Sequence, residues 1–121
     1  MNPTPQIAII GGGLAGLTAA IHLCKTGKSV ILFEKNTYPK HKVCGEFISN
    51  EVLPYFEELG LNIESLQPTH INKTSISINS GKSISANLPL GGFGISRYQL
   101  DYYFYEKHFY DFGFIAFVCK L

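Results

Sequence analysis

The first strong pattern in the chain is a continuous apolar run over residues 6–10, rich in β-branched side chains and followed at once by glycine. That is how a strand covered on both faces looks. Beyond the glycines the period changes. Leu14, Leu17, Ile21 and Cys24 recur at helical spacing on one face, with Thr18, His22 and Lys25 opposite. Gly27 stands where a helix-ending glycine belongs. A second apolar run, residues 29–34, ends in an acid, Glu34. Strand, tight turn, helix and strand in this order predict a βαβ unit with a parallel pair.

The pattern then loosens. Residues 1–5, with two prolines, read as a frayed start, and residues 35–48 read as a long polar loop carrying Lys35, Pro39, Lys40, His41 and Lys42. Long ordered loops after a strand usually have a job. A helix is expected over residues 51–59, with Ser49 or Asn50 as its cap, Pro54 in its first turn and Gly60 at its end. From residue 74 the period becomes two: Ile76, Ile78, Ile84, Ala86 and Leu88 alternate with polar residues around a turn at 79–82. This predicts an antiparallel hairpin with one dry face. A glycine-rich bend at 91–94 leads to an aromatic-rich helix over 98–112, closed by Gly113, and to a third buried strand over 114–118.

Composition narrows the class. At 121 residues, 45% hydrophobic and 16% charged, the chain suits one domain with a real core and is too apolar for disorder. A net charge of +1 excludes a strongly basic nucleic-acid module. The cysteines, Cys24, Cys44 and Cys119, are odd in number and share no CxxC spacing, which fits a reducing compartment. The apolar stretch 7–23 has no basic residue before it, is broken by glycines and lacks a small-residue cleavage site. A cytoplasmic protein with no transmembrane segment is therefore expected. His22, His70 and His108 show no ligand spacing, so no metal is expected.

The chemistry sits in the glycines. Gly11, Gly13 and Gly16 form the pattern G-x-G-x-x-G between a predicted strand and a predicted helix. The first glycine permits the tight turn, the second lets a diphosphate approach the backbone, and the third lets helix and strand pack closely. The helix N-terminus adds free N–H donors and partial positive charge. Glu34, ending the second strand, can accept both hydroxyls of an adenosine ribose. An acid there repels a 2′-phosphate, so FAD and NAD fit and NADP does not.

Residues 9–20, which hold the glycine motif, resemble the FAD-binding start of flavoprotein monooxygenases and of the geranylgeranyl reductases related to them. Two more stretches resemble the reductase-like branch. One is residues 38–46, with Tyr38, Pro39, Lys42, Cys44, Gly45 and Glu46. The other is residues 96–101, with Ser96, Arg97 and Asp101, followed by a helix and Gly113. The resemblance implies an α/β, Rossmann-like FAD-binding domain with an incomplete parallel sheet and an inserted antiparallel hairpin. It implies that Gly11, Gly13, Leu14, Ala15 and Gly16 line the FAD diphosphate and that Glu34 and Lys35 face the adenosine ribose. Arg97 would contact the cofactor, since a guanidinium suits a phosphate or a ribityl oxygen. Cys44 would lie near flavin and substrate, with Lys40, His41 and Lys42 favouring its thiolate; the plain alternative is a small packed hydrophobe.

The implied activity is that of a flavin-dependent oxidoreductase: hydride transfer to an alkene, or oxygenation of an organic substrate, with an isoprenoid suggested by the branch. Such enzymes pair a dinucleotide domain with a substrate domain and run to about three times this length. They also carry a later Gly-Asp motif, which this sequence lacks. The whole chain, residues 1–121, is thus expected to be the N-terminal FAD-binding part of an oxidoreductase without its substrate domain, its first strand partnered on one side only. Two alternatives stay open: an NAD-binding module of a dehydrogenase, and a non-catalytic truncated fragment.

Overall fold

A computed structural model describes residues 4–44, 46–112 and 116–118, built around two three-stranded sheets. Strand β1 (Ile7–Ile10) leads through the glycine turn into helix α1 (Leu14–Lys25) and on to β2 (Val30–Glu34). The two strands pair in parallel, Ile7 beside Val30 and Ile10 beside Phe33. After β2 come β3 (Phe47–Ser49), a 3-10 turn at Asn50–Val52 and helix α2 (Leu53–Glu58). The long hairpin of β4 (Thr69–Ser77) and β5 (Ser83–Gly94) precedes helix α3 (Arg97–Phe112) and β6 (Ala116–Val118). Strand β6 returns to the first sheet, parallel to β2, giving the order β1-β2-β6. The second sheet is antiparallel, in the order β3-β5-β4.

The expected βαβ unit and Rossmann-like α/β class are present, and the core follows from the periodicity. Leu17, Ala20, Ile21 and Cys24 turn inward from α1 and join Val30 and Leu32 of β2 and Leu100 and Phe104 of α3. Phe56 meets Phe104 edge-on, with ring centroids 5.3 Å apart, and fastens α2 to α3. Each such side chain contributes roughly 1.5–3 kcal/mol relative to exposure. Ser49 accepts the Glu51 N–H at the start of the next turn, Pro54 sits in the first turn of α2, and Gly60 follows its end, all as expected.

Four expectations need correction. Strand β1 is not covered on both faces: Ile7 and Ile9 are half-buried, while Ala8 and Ile10 are exposed, Ile10 to 90%. Helices α1 and α3 contribute to the core on one side of the sheet only, and among the described residues β1 pairs with β2 alone. The loop after β2 is shorter than expected, because residues 47–49 form β3 against β5. The expected glycine bend at 91–94 is the end of β5, where Phe47 lies across from Gly94 and Ser49 from Gly92. Finally, the hairpin has an apolar face but not a dry one: Ile76, Ile78 and Ile84 are 65%, 59% and 70% exposed. Gly45, Gly113, Cys119, residues 1–3 of the expected frayed start and residues 114–115 of the expected third strand lie outside the described residues, as does the side chain of His108.

Candidate dinucleotide site

The site forms where the parallel strands end. Gly11 closes β1 with φ +103°, a backbone conformation that a Cβ disfavours, and its N–H donates to the Phe33 carbonyl at 2.8 Å. The turn feeds directly into α1. At Gly16 a Cβ would overlap the Gly11 carbonyl oxygen, so only glycine lets the first turn of α1 lie against the loop. Gly13 occupies the N-cap of α1 with no side-chain cap, and no acid sits in the first turn. The helix therefore presents its unpaired N–H groups to whatever fills the space in front of them.

That space is a cleft of about 450 Å3 bounded by Ile10, Gly11, Gly13, Phe33, Glu34, Lys35, Asn36, Lys40 and Lys42. Glu34 is 6% exposed at the end of β2, far from the free surface acid that a strand end could carry. Its Oε2 accepts the Gly12 N–H at 2.7 Å, and its Oε1 accepts the Asn36 N–H at 2.8 Å and the Asn36 side-chain amide at 2.7 Å. Lys40 lies 3.3 Å from Oε1. Burial works to raise the Glu34 pKa, but the bonds from Asn36 and Gly12 and the Lys40 charge outweigh it and pull the carboxyl down to about 2. The group is ionised at neutral pH. A carboxylate offers about four acceptor positions, so Oε2 keeps one free for an incoming hydroxyl.

The remaining expected residues divide. Gly11, Gly13, Glu34 and Lys35 line the cleft, and Leu14, Ala15 and Gly16 form the first turn of α1. Arg97 does not line it. Its Nε donates to Asp101 Oδ1 at 2.7 Å and its Nη2 to Oδ2 at 2.9 Å, a bidentate pair one helical turn apart. That bond raises Arg97 above the ordinary guanidinium range against the opposing effect of burial, and the neighbouring Cys44 thiol adds to the rise. Cys44 is exposed, and its Sγ accepts the Glu46 N–H at 3.4 Å. The cations expected around it are engaged elsewhere: Lys40 on Glu34, Lys42 on Asp101 at 3.6 Å, and His41 stacked on Tyr98. Cys24, by contrast, is a buried core thiol with its pKa raised by burial.

Sequence reasoning gave several participants no role. Gly12 supplies an N–H to Glu34, and Asn36 binds the same carboxylate. Tyr38 donates its phenol O–H to the Gly12 carbonyl while its ring stacks on Tyr105 of α3 at 4.4 Å. Burial raises the Tyr38 pKa, and the charges of Glu34 and Asp101 raise it further, so it stays a donor. Asp101 is fully buried. Its spacing of four from Arg97 was the available signal, since such pairs face each other on a helix. A depression of about 480 Å3 around Leu53, Glu57, Asn62 and Glu64 shares no residue with the glycine loop; its lining has acids and no cation, which suits no phosphate. Among the described residues no group of His, Cys, Asp or Glu could hold a metal, and no helix is long and apolar enough to cross a membrane.

Fold and site together define a Rossmann-like α/β unit with an open cleft at the ends of its parallel strands. Comparison with known proteins agrees: the profile of the NAD(P)-binding Rossmann-like domain matches residues 9–52. Over 40 residues, 33% of this chain and 8% of the relative, the sequence is 50% identical to 4,4'-diaponeurosporene oxygenase of Staphylococcus aureus. The tetrameric form of 2-methyl-3-hydroxypyridine-5-carboxylic acid oxygenase superposes with a TM-score of 0.77 at 26% identity, covering 96% of this chain and 32% of that one. The flavin-dependent halogenase CmlS superposes with a TM-score of 0.78 at 21% identity, covering 97% of this chain and 23% of that one. The chain thus shares the fold of part of these two structures, and it spans a third or less of the length of the proteins it matches.

Proposed function

We propose that the chain binds FAD and forms the adenosine- and diphosphate-holding part of a flavin-dependent oxidoreductase acting on an organic substrate. The observation that carries this reading is the buried, ionised Glu34 carboxylate beside the glycine loop. A carboxylate there accepts hydrogen bonds from an unmodified ribose and repels a 2′-phosphate. The backbone fits the group as well. The cradle at Gly16 has no room for a Cβ, and the uncapped start of α1 faces the cleft with donors and partial positive charge.

FAD is favoured over NAD by the extent of the likeness. The flavin-dependent halogenase CmlS superposes on 97% of the chain, a span that includes the β4–β5 hairpin and α3, which a minimal NAD-binding βαβ unit does not need. A bound flavin would supply the electron and hydride chemistry. The chain's own residues bind and orient. Glu34 fixes the ribose, the N–H groups of Leu14, Ala15 and Gly16 hold the diphosphate, and Lys35 borders the cleft at the adenosine end. Arg97 is assigned a further cofactor contact, its fork held still by Asp101. Cys44 is assigned to the wall beside Arg97, facing flavin and substrate. The finer grouping with geranylgeranyl reductases, and with it an isoprenoid substrate, rests on residues 38–46 and 96–101 alone.

The test is direct titration. The purified chain is expected to carry or take up FAD, read by flavin absorbance and fluorescence quenching, and to bind NAD more weakly. Binding of NAD without FAD would replace this reading with that of a dehydrogenase module.

A further inference from the structure

We propose that Lys42, aimed by the buried Asp101, is a diphosphate-binding residue of this site; the proposal rests on the dinucleotide reading above. Lys42 comes from the loop after β2, yet its Nζ lies 3.1 Å from the point where a Cβ of Gly13 would stand. Gly13 is the N-cap of α1, so the ammonium sits beside the helix end whose N–H groups have no side-chain cap. The missing side chain at Gly13 therefore does two things: it opens the backbone to a ligand and makes room for a cation next to it.

The charge count points the same way. Asp101 is fully buried and already receives two hydrogen bonds from Arg97, at 2.7 and 2.9 Å. That pair is neutral. Lys42 then approaches Asp101 Oδ2 at 3.6 Å and adds a second cation to one carboxylate. The cluster carries a surplus of one positive charge, with the Lys42 side chain only 30% exposed. The one acid that lines the cleft among the described residues, Glu34, is matched by Lys40. A half-buried surplus cation beside an uncapped helix start suits a ligand with two negative charges, and a diphosphate supplies them. Lysine acts here as a point charge placed by Asp101, while Arg97 provides the rigid fork that fixes Asp101 itself.

The experiment compares ADP, adenosine and FAD on the wild-type chain and on Lys42→Met, which keeps the aliphatic stem, with Lys42→Arg as the conservative variant. Lys42→Met is expected to weaken ADP and FAD binding about tenfold, as for loss of a charge-assisted contact, and to leave adenosine within about twofold. The loss should shrink as salt rises, and Lys42→Arg should restore most of the affinity. Equal losses for ADP and adenosine, or none for either, would overturn the role of Lys42 while leaving the dinucleotide reading intact. Failure of the wild-type chain to bind any of the three would overturn both.

Discussion

Replacing Glu34 by glutamine tests the centre of the site without changing its shape. The carboxylate takes donors on both oxygens: Gly12 N–H on Oε2, and two Asn36 groups with Lys40 on Oε1. A glutamine amide has one acceptor end and one donor end, so either orientation sets an NH2 against a donor. The magnitude follows from the protonation equilibrium. With a folded pKa of about 2 against an ordinary 4.5, the ionised group contributes about 3 kcal/mol at neutral pH. Loss of one hydrogen bond to a charged group, roughly 1.5–3 kcal/mol, gives the same size. The folded pKa is depressed, so the contribution is fully present above about pH 4.5 and lost as pH falls towards 2. Urea unfolding of wild type and Glu34→Gln should therefore differ by about 3 kcal/mol at neutral pH and by less than half of that near pH 3. A gap that stays constant across this range would refute the reasoning, because it would mean that the carboxylate's charge plays no part.

Two further outcomes follow from the packing. Gly16→Ala should lower stability by about 2 kcal/mol net, since overlap with the Gly11 carbonyl costs more than the roughly 1 kcal/mol that alanine gains over glycine in a helix; an unchanged or raised urea midpoint would mean that α1 is free to shift away from the loop. On the hairpin, Ile78→Lys combined with Ile84→Thr should change stability by no more than about 0.5 kcal/mol per site and raise the solubility limit, as expected where apolar side chains face water. A loss well beyond that in thermal unfolding would show that this face is covered in solution.

What the sequence made legible was local. The βαβ unit was readable because each part carries its own signal within a few residues: the apolar run of β1, the spacing of Leu17, Ile21 and Cys24, and the glycines between them. Glu34 was readable because the strand ends there. Strand β3 was not, since three residues are too few to show a period, and its pairing with Gly92 and Gly94 is set by chain 43–47 positions away. The hairpin's alternation was real, yet periodicity reports which side chains share a face and not what lies against it. Ile76 and Ile84 do stand opposite each other on one face, and that face is exposed. Lys40 and Lys42 looked like neighbours of Cys44 because they are close in sequence. Their true partners, Glu34 and Asp101, are fixed by the return of the loop over the glycine turn and by the packing of α1 against α3.

That difference in origin divides the work of the site. The glycine loop and α1 supply shape and backbone donors, which any dinucleotide can use. The charges that distinguish one ligand from another come from elsewhere: Glu34 at the end of β2, Lys40 and Lys42 from the following loop, and Arg97 and Asp101 from α3. Tyr38 joins the two sets, bonding the Gly12 carbonyl from the loop and stacking on Tyr105 of α3. A change in α3 packing would therefore move Asp101, and with it Lys42, without disturbing the βαβ backbone. On the dinucleotide reading, affinity for the adenosine end should depend mainly on Glu34, and affinity for the diphosphate on the glycine loop and the start of α1 together with how firmly α3 holds its carboxylate against the loop.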